Sequence, residues 1–461
     1  MAGEKAGAAE YERREKVERG QPLDGKLHLF CAFGDRAWDI ADCKRARRPV
    51  KLRGEGLRGI IVPMKIVMVG PFGLQPKATM LCRALPLARA LAQRGHSVHV
   101  LLPPWSAPQD SGRAWEEDGV QVENIRLPTA AIPGLFQAGI TVRLVRRALA
   151  LQPDVIHYFK PKAYSAFTAQ LARLRRRLGW LRVRLVLDTD DWEGPGGWNE
   201  REPYPGLARW FFAWQERYEL RYADAVTVAS RALETLAWGC GAAPERTFYL
   251  PNGALPPRAA TLGAAEVRAR HGLDEGPVVL LYTRFAEFAL PDLGAIWQRV
   301  HAAQPKARLL IVGRGLHGEE KSLPGLWASL GLAEAVRYAG WVQPEELPGY
   351  FAAAQAAIYP YEDTLISRCK CSAKLIEMLA HGVPLVASAV GQNSEYIEHG
   401  VSGLLAPAGD NAALAAGVVR LLADHELAAR LGEGARQRMA GPFSWERLAA
   451  VAEEAYVKRE L

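Results

Sequence analysis

The sequence predicts two consecutive doubly wound α/β domains whose parallel sheets face each other across a cleft. Three observations carry that prediction. The chain has 461 residues, more than one hydrophobic core usually supports. From Met64 onward, short aliphatic runs alternate with amphipathic stretches, the pattern of strands buried on both faces and joined by helices. Residues 251–277, rich in Pro, Gly and Ala, interrupt that alternation once, and it then restarts.

In the first half, the expected strands are 65–70, 97–102, 120–125, 154–159, 184–190 and 225–230. Between the first two, Leu81, Ala84, Leu85, Ala88, Leu91 and Ala92 share one helical face, and Gly95 follows as a stop. In the second half the runs 278–284, 308–313, 336–342, 356–361, 384–390 and 403–406 play the same part. Ser444 is placed to cap a final helix that begins at Trp445. The implied division is a first domain over 64–255, a second domain over 256–440 and a C-terminal helix over 441–461. Residues 1–63 show no sustained period. They are expected to be a disordered tail or an over-long start, with native folding beginning at Met64; abundant native peptides from residues 1–60 would contradict the second version.

Hydrophobic residues make up 49% and charged residues 23%, an ordinary globular composition. No apolar run approaches the roughly 18–20 residues that cross a bilayer, and Met1 to Gly20 lacks the apolar centre of a signal peptide. The expected location is the cytoplasm. Of six cysteines only Cys369 and Cys371 lie close together, with no nearby His or Cys to complete a metal site, so reduced thiols and no bound metal are expected. The formal charge of +8 suits an anionic ligand such as a nucleotide diphosphate, or an anionic membrane face. No basic motif interleaved with aromatics points to nucleic acid.

Chemistry concentrates at the ends of strands. The first loop, Gly70-Pro-Phe-Gly73-Leu-Gln-Pro-Lys77, leads into a helix whose amides suit phosphate, although a plain strand-to-helix turn is the alternative. It lacks the Gly-x-Gly-x-x-Gly spacing of dinucleotide sites. Arg284 ends one strand of the second domain, where a guanidinium can grip a diphosphate with two parallel bonds; a surface ion pair is the alternative. Gly313 ends the next strand in the flexible turn Gly313-Arg-Gly315. The densest segment is Cys369-Lys370-Cys-Ser-Ala-Lys374-Leu-Ile-Glu377, where Lys374 and Glu377 fall one helical turn apart. A Glu there can accept two ribose hydroxyls and a Lys can neutralise phosphate, or the two simply pair on a solvated face.

That segment, with the following Met378-Leu-Ala-His-Gly382-Val-Pro, resembles the donor signature of the retaining GT-B glycosyltransferases of family 4. The stretches Ala223 to Ser230, Leu250-Pro-Asn-Gly253, Gly340-Trp-Val to Phe351 and Ala389 to Gly400 resemble further landmarks in the family's order. The resemblance runs from about Met64 to the C-terminus. It implies the GT-B architecture, two Rossmann-like domains facing a cleft, with the C-terminal helix returning to the first domain. It also implies a donor diphosphate held by Arg284 with Lys370 or Lys374, and a ribose on Glu377. The Gly73 loop, Gly313 and the turn carrying Gly391 and Glu395 would close around phosphates and sugar, with no bound metal and with configuration retained. Three departures stand out. Cys369 occupies the place of a sugar-contacting Glu, Ala289 that of a lysine, and Phe159 that of a catalytic His in some members. His157 is then the one weak catalytic candidate, with a structural histidine as the alternative.

On the acceptor side, Asp188-Thr-Asp190-Asp191-Trp192 opens a loop that reaches Trp198. It contains a literal Asp-x-Asp, a metal motif of another glycosyltransferase fold, but is expected here to bind acceptor, with Trp192 and Trp198 as sugar platforms. A capped surface turn is the alternative. The Arg173 to Arg184 run, interleaved with leucines and Trp180, suits an anionic membrane surface or is a solvated basic face. The expected function is transfer of a sugar from a nucleotide-sugar to a glycan or lipid-linked acceptor. A nucleotide-sugar-binding pseudo-enzyme and a nucleotide-sugar epimerase are the alternatives.

Overall fold

A computed structural model describes residues 62–75, 79–129, 134–273 and 275–457. Lys77 and the expected extension up to residue 61 lie outside them.

The strands of the first domain are β1 (Lys65–Val69), β2 (Ser97–Leu102), β3 (Ala114–Glu117), β4 (Val120–Asn124), β5 (Val155–Phe159), β6 (Arg184–Thr189), β7 (Ala225–Val228) and β8 (Thr247–Tyr249). They form one sheet in the order β3-β4-β2-β1-β5-β6-β7-β8, and every pairing is parallel except β3 with β4. The second domain holds β9 (Val278–Thr283), β10 (Arg308–Gly313), β11 (Val336–Gly340), β12 (Ala356–Tyr359), β13 (Leu385–Ser388) and β14 (Leu404–Ala406). Their order is β11-β10-β9-β12-β13-β14, all parallel. The architecture is the expected pair of doubly wound sheets. β5, β7, β9, β12 and β13 are buried at every position, which explains why they read as unbroken apolar runs rather than alternations.

In each sheet the strand order reverses beside the first strand, between β1 and β5 and between β9 and β12. The carboxyl ends flanking such a reversal leave a crevice that the helices cannot fill. The Gly70–Gly73 loop and Lys160 stand at the first, and Arg284 and Tyr361 at the second.

Two strands lie outside the sequence expectation. β3 has no apolar run; it folds back on β4 through Asp118 and Gly119, both left-handed at φ 51° and 79°, as a two-residue hairpin requires. β8 has only three residues. The last helix, Trp445–Tyr456, packs Trp445, Leu448 and Ala452 into one core with Ile66 and Met68 of β1. Arg94 adds a two-pronged bond to Glu453, 2.6 Å on each arm. The C-terminal helix therefore belongs to the first domain.

Candidate functional site

The donor-side wall is built at the ends of β9 and β12. Alternation along β9 sends Tyr282 and Arg284 to the same side. Arg284 is exposed, and the ring of Tyr282 lies 3.5 Å beneath the Lys374 ammonium. The Tyr282 hydroxyl reaches Glu377 Oε2 at 3.4 Å. Lys374 thus rests on an aromatic face rather than forming an ion pair with Glu377. Burial lowers the Lys374 pKa from 10.5 to about 8, although nearby Glu377 pulls the other way. Burial raises Glu377, with Lys374 again opposing. Burial thus disfavours the charged form of both groups, as happens in sites shaped for an ionic ligand. Lys370 instead pairs with the buried Glu287. Burial would raise that carboxyl, yet the Lys370 ammonium outweighs it and holds it low.

The first domain closes the opposite side. The loop after β1 enters a π-helical turn, Met80–Ala84, a geometry common at functional sites. Its Cys82 thiol is raised first by burial and next by Glu377, so this turn faces the donor wall. The neighbouring Arg83 points inward instead. It grips Asp188 with two bonds of 2.7 Å and also donates to the Leu250 carbonyl and Asn252 Oδ1. Asn252 in turn donates its backbone N–H to Cys371 Sγ and its side-chain N–H to the Cys371 carbonyl. A buried polar chain therefore runs from the first core to the loop that carries Lys370 and Lys374.

The glycines act mainly on the backbone. At Gly313, with φ 128°, a Cβ would stand 1.9 Å from the Thr283 carbonyl oxygen, and at Gly391, with φ 50°, 2.5 Å from Arg368 Cα. Gly313 lets two strand ends approach closely, and Gly391 lets the turn after β13 pass close to the helix Leu365–Cys369. At Gly73 a Cβ would meet Pro104 at 3.5 Å and the Gln75 carbonyl at 3.7 Å, ordinary contacts, so the fold makes no such demand there. Glu395 is half-buried on the short helix after Gly391, and its carbonyl accepts from Arg438.

Two expected roles are corrected. His157 does not reach the cleft. It is fully buried between Tyr456 and Thr227, at 2.9 and 3.2 Å, and burial lowers its pKa to about 4. It is a neutral anchor for the C-terminal helix. Trp192 is no sugar platform: its indole is buried and donates to the Pro195 carbonyl. Trp198 stays half-buried at the start of a short helix.

Asp190 and Asp191 are not arranged as a metal pair. Among the described residues no group of three His, Cys, Asp or Glu side chains is placed to hold a metal ion. Both carboxylates close on Lys160, at 3.0 and 2.9 Å, with Glu193 at 3.4 Å. Burial would lower the Lys160 pKa, but the three carboxylates raise it instead. Lys160 and Ala163 are left-handed non-glycine residues, at φ 60° and 52°, a strain that such sites often hold.

The Arg173–Arg184 run is split by the fold. Arg173 is buried on Glu219 and Arg176 pairs with Asp224, whereas Arg175, Arg177 and Arg182 are exposed.

With this geometry in view, comparison with known proteins is decisive. A family model described as a glycosyl transferase 4-like domain matches residues 82–253. Another, described as glycosyl transferases group 1, matches residues 276–424. The chain belongs to the group 1 glycosyltransferases. It is 34% identical over 217 residues to a D-inositol 3-phosphate glycosyltransferase of Geodermatophilus obscurus, covering 45% of this chain and 46% of that relative. It is 27% identical over 380 residues to the GDP-mannose-dependent alpha-(1-6)-phosphatidylinositol monomannoside mannosyltransferase of Mycobacterium tuberculosis, covering 79% and 90%. The chain thus spans about half of the first relative's length and most of the second's. Among solved structures, Anabaena HepE in complex with UDP-glucose superposes with a TM-score of 0.65 at 21% identity, over 85% of this chain and 98% of that one. Sucrose-phosphate synthase from Thermosynechococcus elongatus gives 0.63 at 22%, over the same shares. These likenesses establish the GT-B fold.

Sequence reasoning missed Tyr282, Cys82, Arg83 and Lys160. Strand alternation around Arg284 would have found Tyr282. No local signal marks the other three, whose partners lie far along the chain.

Proposed function

We propose that this glycosyltransferase moves a sugar from a nucleotide-sugar to a glycan or lipid-linked acceptor, with retention of configuration and without a resident metal. One observation carries the reading. Arg284, Lys374 and Glu377 converge beyond the carboxyl ends of β9 and β12, where Tyr282 and the Cys82 turn flank Lys374 and Glu377. Arg284 and Lys374 would hold the diphosphate and Glu377 the ribose. Lysine and arginine charge then serves where a divalent ion would in other folds. The acceptor would enter along the loop from Asp190 to Trp198. The inositol compounds in the names of two relatives favour an acceptor of that polar, lipid-compatible kind.

A lipid acceptor fits the outer face of the first domain. Trp180 is 74% exposed, Trp210 64% and Trp214 43%. Arg175, Arg177 and Arg182 near Trp180 in the sequence, and Arg209 and Arg217 near Trp210 and Trp214, are exposed as well, a composition suited to an anionic lipid surface. The proposed contact is peripheral; no described helix is long and apolar enough to cross a membrane.

The test incubates the full chain with UDP-glucose, GDP-mannose and a panel of glycan and phosphoinositol acceptors, and measures nucleotide release and the anomeric configuration of the product. Transfer with retention is expected. Binding without transfer across the panel would leave a nucleotide-sugar-binding pseudo-enzyme, and failure to bind any nucleotide or nucleotide-sugar would refute the donor site. For the lipid face, co-sedimentation with vesicles containing phosphatidylserine should fall at least severalfold in Trp180→Ala/Trp210→Ala. Equal sedimentation of that variant and the wild type would remove the membrane contact.

A further inference from the structure

The charged cluster at the ends of β5 and β6 faces the second domain, and we propose that Asp191, held by Lys160, is the carboxylate that recognises hydroxyls of the transferred sugar from across the cleft. This rests on the donor reading above.

The two sides are in contact at this point. A Cβ at Gly196, on the Asp191 loop, would stand 3.2 Å from Leu365 Cδ2, on the short helix Leu365–Cys369. Cys369 ends that helix, one residue before Lys370. Its thiol is pushed up to about 12, first by burial and then by Asp191 and Glu216. Asp191 therefore lies across from the segment that leads directly into the phosphate lysines. A sugar attached to a diphosphate on Arg284 and Lys374 would face Cys369 and Glu287 on this side of its own domain. Cys369 offers a protonated thiol, a weak acceptor, and Glu287 is already engaged by Lys370.

Polar groups in and around the cluster point the same way. Glu216 is 1% exposed; one oxygen accepts the Glu193 backbone N–H at 3.2 Å and the other has no partner. The side-chain amide nitrogens of Asn199 and Gln215, both buried, have none either. Buried polar groups in folded proteins are nearly always hydrogen-bonded, and a polyhydroxyl ligand supplies donors and acceptors together. Asp191 itself gives one oxygen to Lys160 and keeps a quarter of its side chain exposed. It is thus held in place by Lys160 and still accessible. The cluster carries more carboxylates than lysines, so it favours a neutral hydroxyl-bearing sugar and repels a uronate.

The experiment is a carboxylate exchange. Calorimetry with UDP, GDP, UDP-glucose and GDP-mannose, together with steady-state turnover, compares wild type, Asp191→Asn, Cys369→Glu and Asp191→Ala/Cys369→Glu. Asp191→Asn should bind the plain nucleotide as the wild type does and lose about tenfold or more in nucleotide-sugar turnover, the worth of a charged hydrogen bond. Cys369→Glu alone should also lose turnover, because two carboxylates would then face each other. The double variant should recover part of it. Wild-type turnover in Asp191→Asn would overturn the proposal, as would a parallel loss of plain-nucleotide affinity, which would make Asp191 a scaffold residue. Failure of wild-type protein to bind any nucleotide would instead bring down the donor reading, and this inference with it.

Discussion

Arg83→Ala will lower the unfolding free energy by about 3–5 kcal/mol, the usual cost of removing one partner of a buried ion pair. Arg83 and Asp188 are exposed by no more than 1%, so the variant leaves a carboxylate sealed from water with no countercharge. It also strips the Leu250 carbonyl and Asn252 Oδ1 of a donor. Urea denaturation of the full chain measures the loss. Arg83→Met/Asp188→Leu should recover much of it, because apolar replacement of both members of such a pair is often nearly neutral. A single variant as stable as the wild type would mean that the pair holds nothing together. The effect should also reach the site, since Asn252 fixes the Cys371 loop that leads to Lys374.

Glu377→Ala should weaken nucleotide binding by about 10- to 150-fold, the equivalent of roughly 1.5–3 kcal/mol for hydrogen bonds to a charged group. Its own partners are few, a 3.4 Å contact from Tyr282 among them, so the fold should survive. Lys374 adds a pH signature. Its pKa in the folded chain is about 8 against 10.5 ordinarily, so between those values the unfolded chain binds more protons and stability rises with pH. A diphosphate beside it restores the proton. Nucleotide affinity should therefore fall as pH climbs above 8, and that fall should vanish in Lys374→Met. Calorimetry at pH 7 and 9 reads both effects; an affinity independent of pH in the wild type would remove Lys374 from the phosphate.

Most of the fold was legible because buried parallel strands announce themselves as short aliphatic runs. β3 escaped because an edge hairpin needs no apolar run, although Asp118-Gly119 is a hairpin signal in its own right. Side-chain roles were legible where they depended on neighbours in sequence, and illegible where they depended on distant partners. The segment from Lys370 to Glu377 is where the motif placed it, but Lys370 serves Glu287, 83 positions earlier. His157 entered as a candidate through the family resemblance alone; the returning helix, with Tyr456, shows that it is sealed. The Arg173–Arg184 run read as one basic face, yet Glu219 and Asp224 neutralise two of its members from another helix and the turn beyond it. Trp192 is buried by its own loop, through a bond to Pro195 that residue type alone does not reveal.

The central claim is that a nucleotide diphosphate binds between Arg284, Lys374 and Glu377. A crystal structure of the full chain with UDP or GDP bound tests it most directly. The account places the diphosphate oxygens within hydrogen-bond reach of Arg284 and Lys374, and the ribose hydroxyls on Glu377. Nucleotide bound elsewhere, or none at saturating concentration, would contradict it.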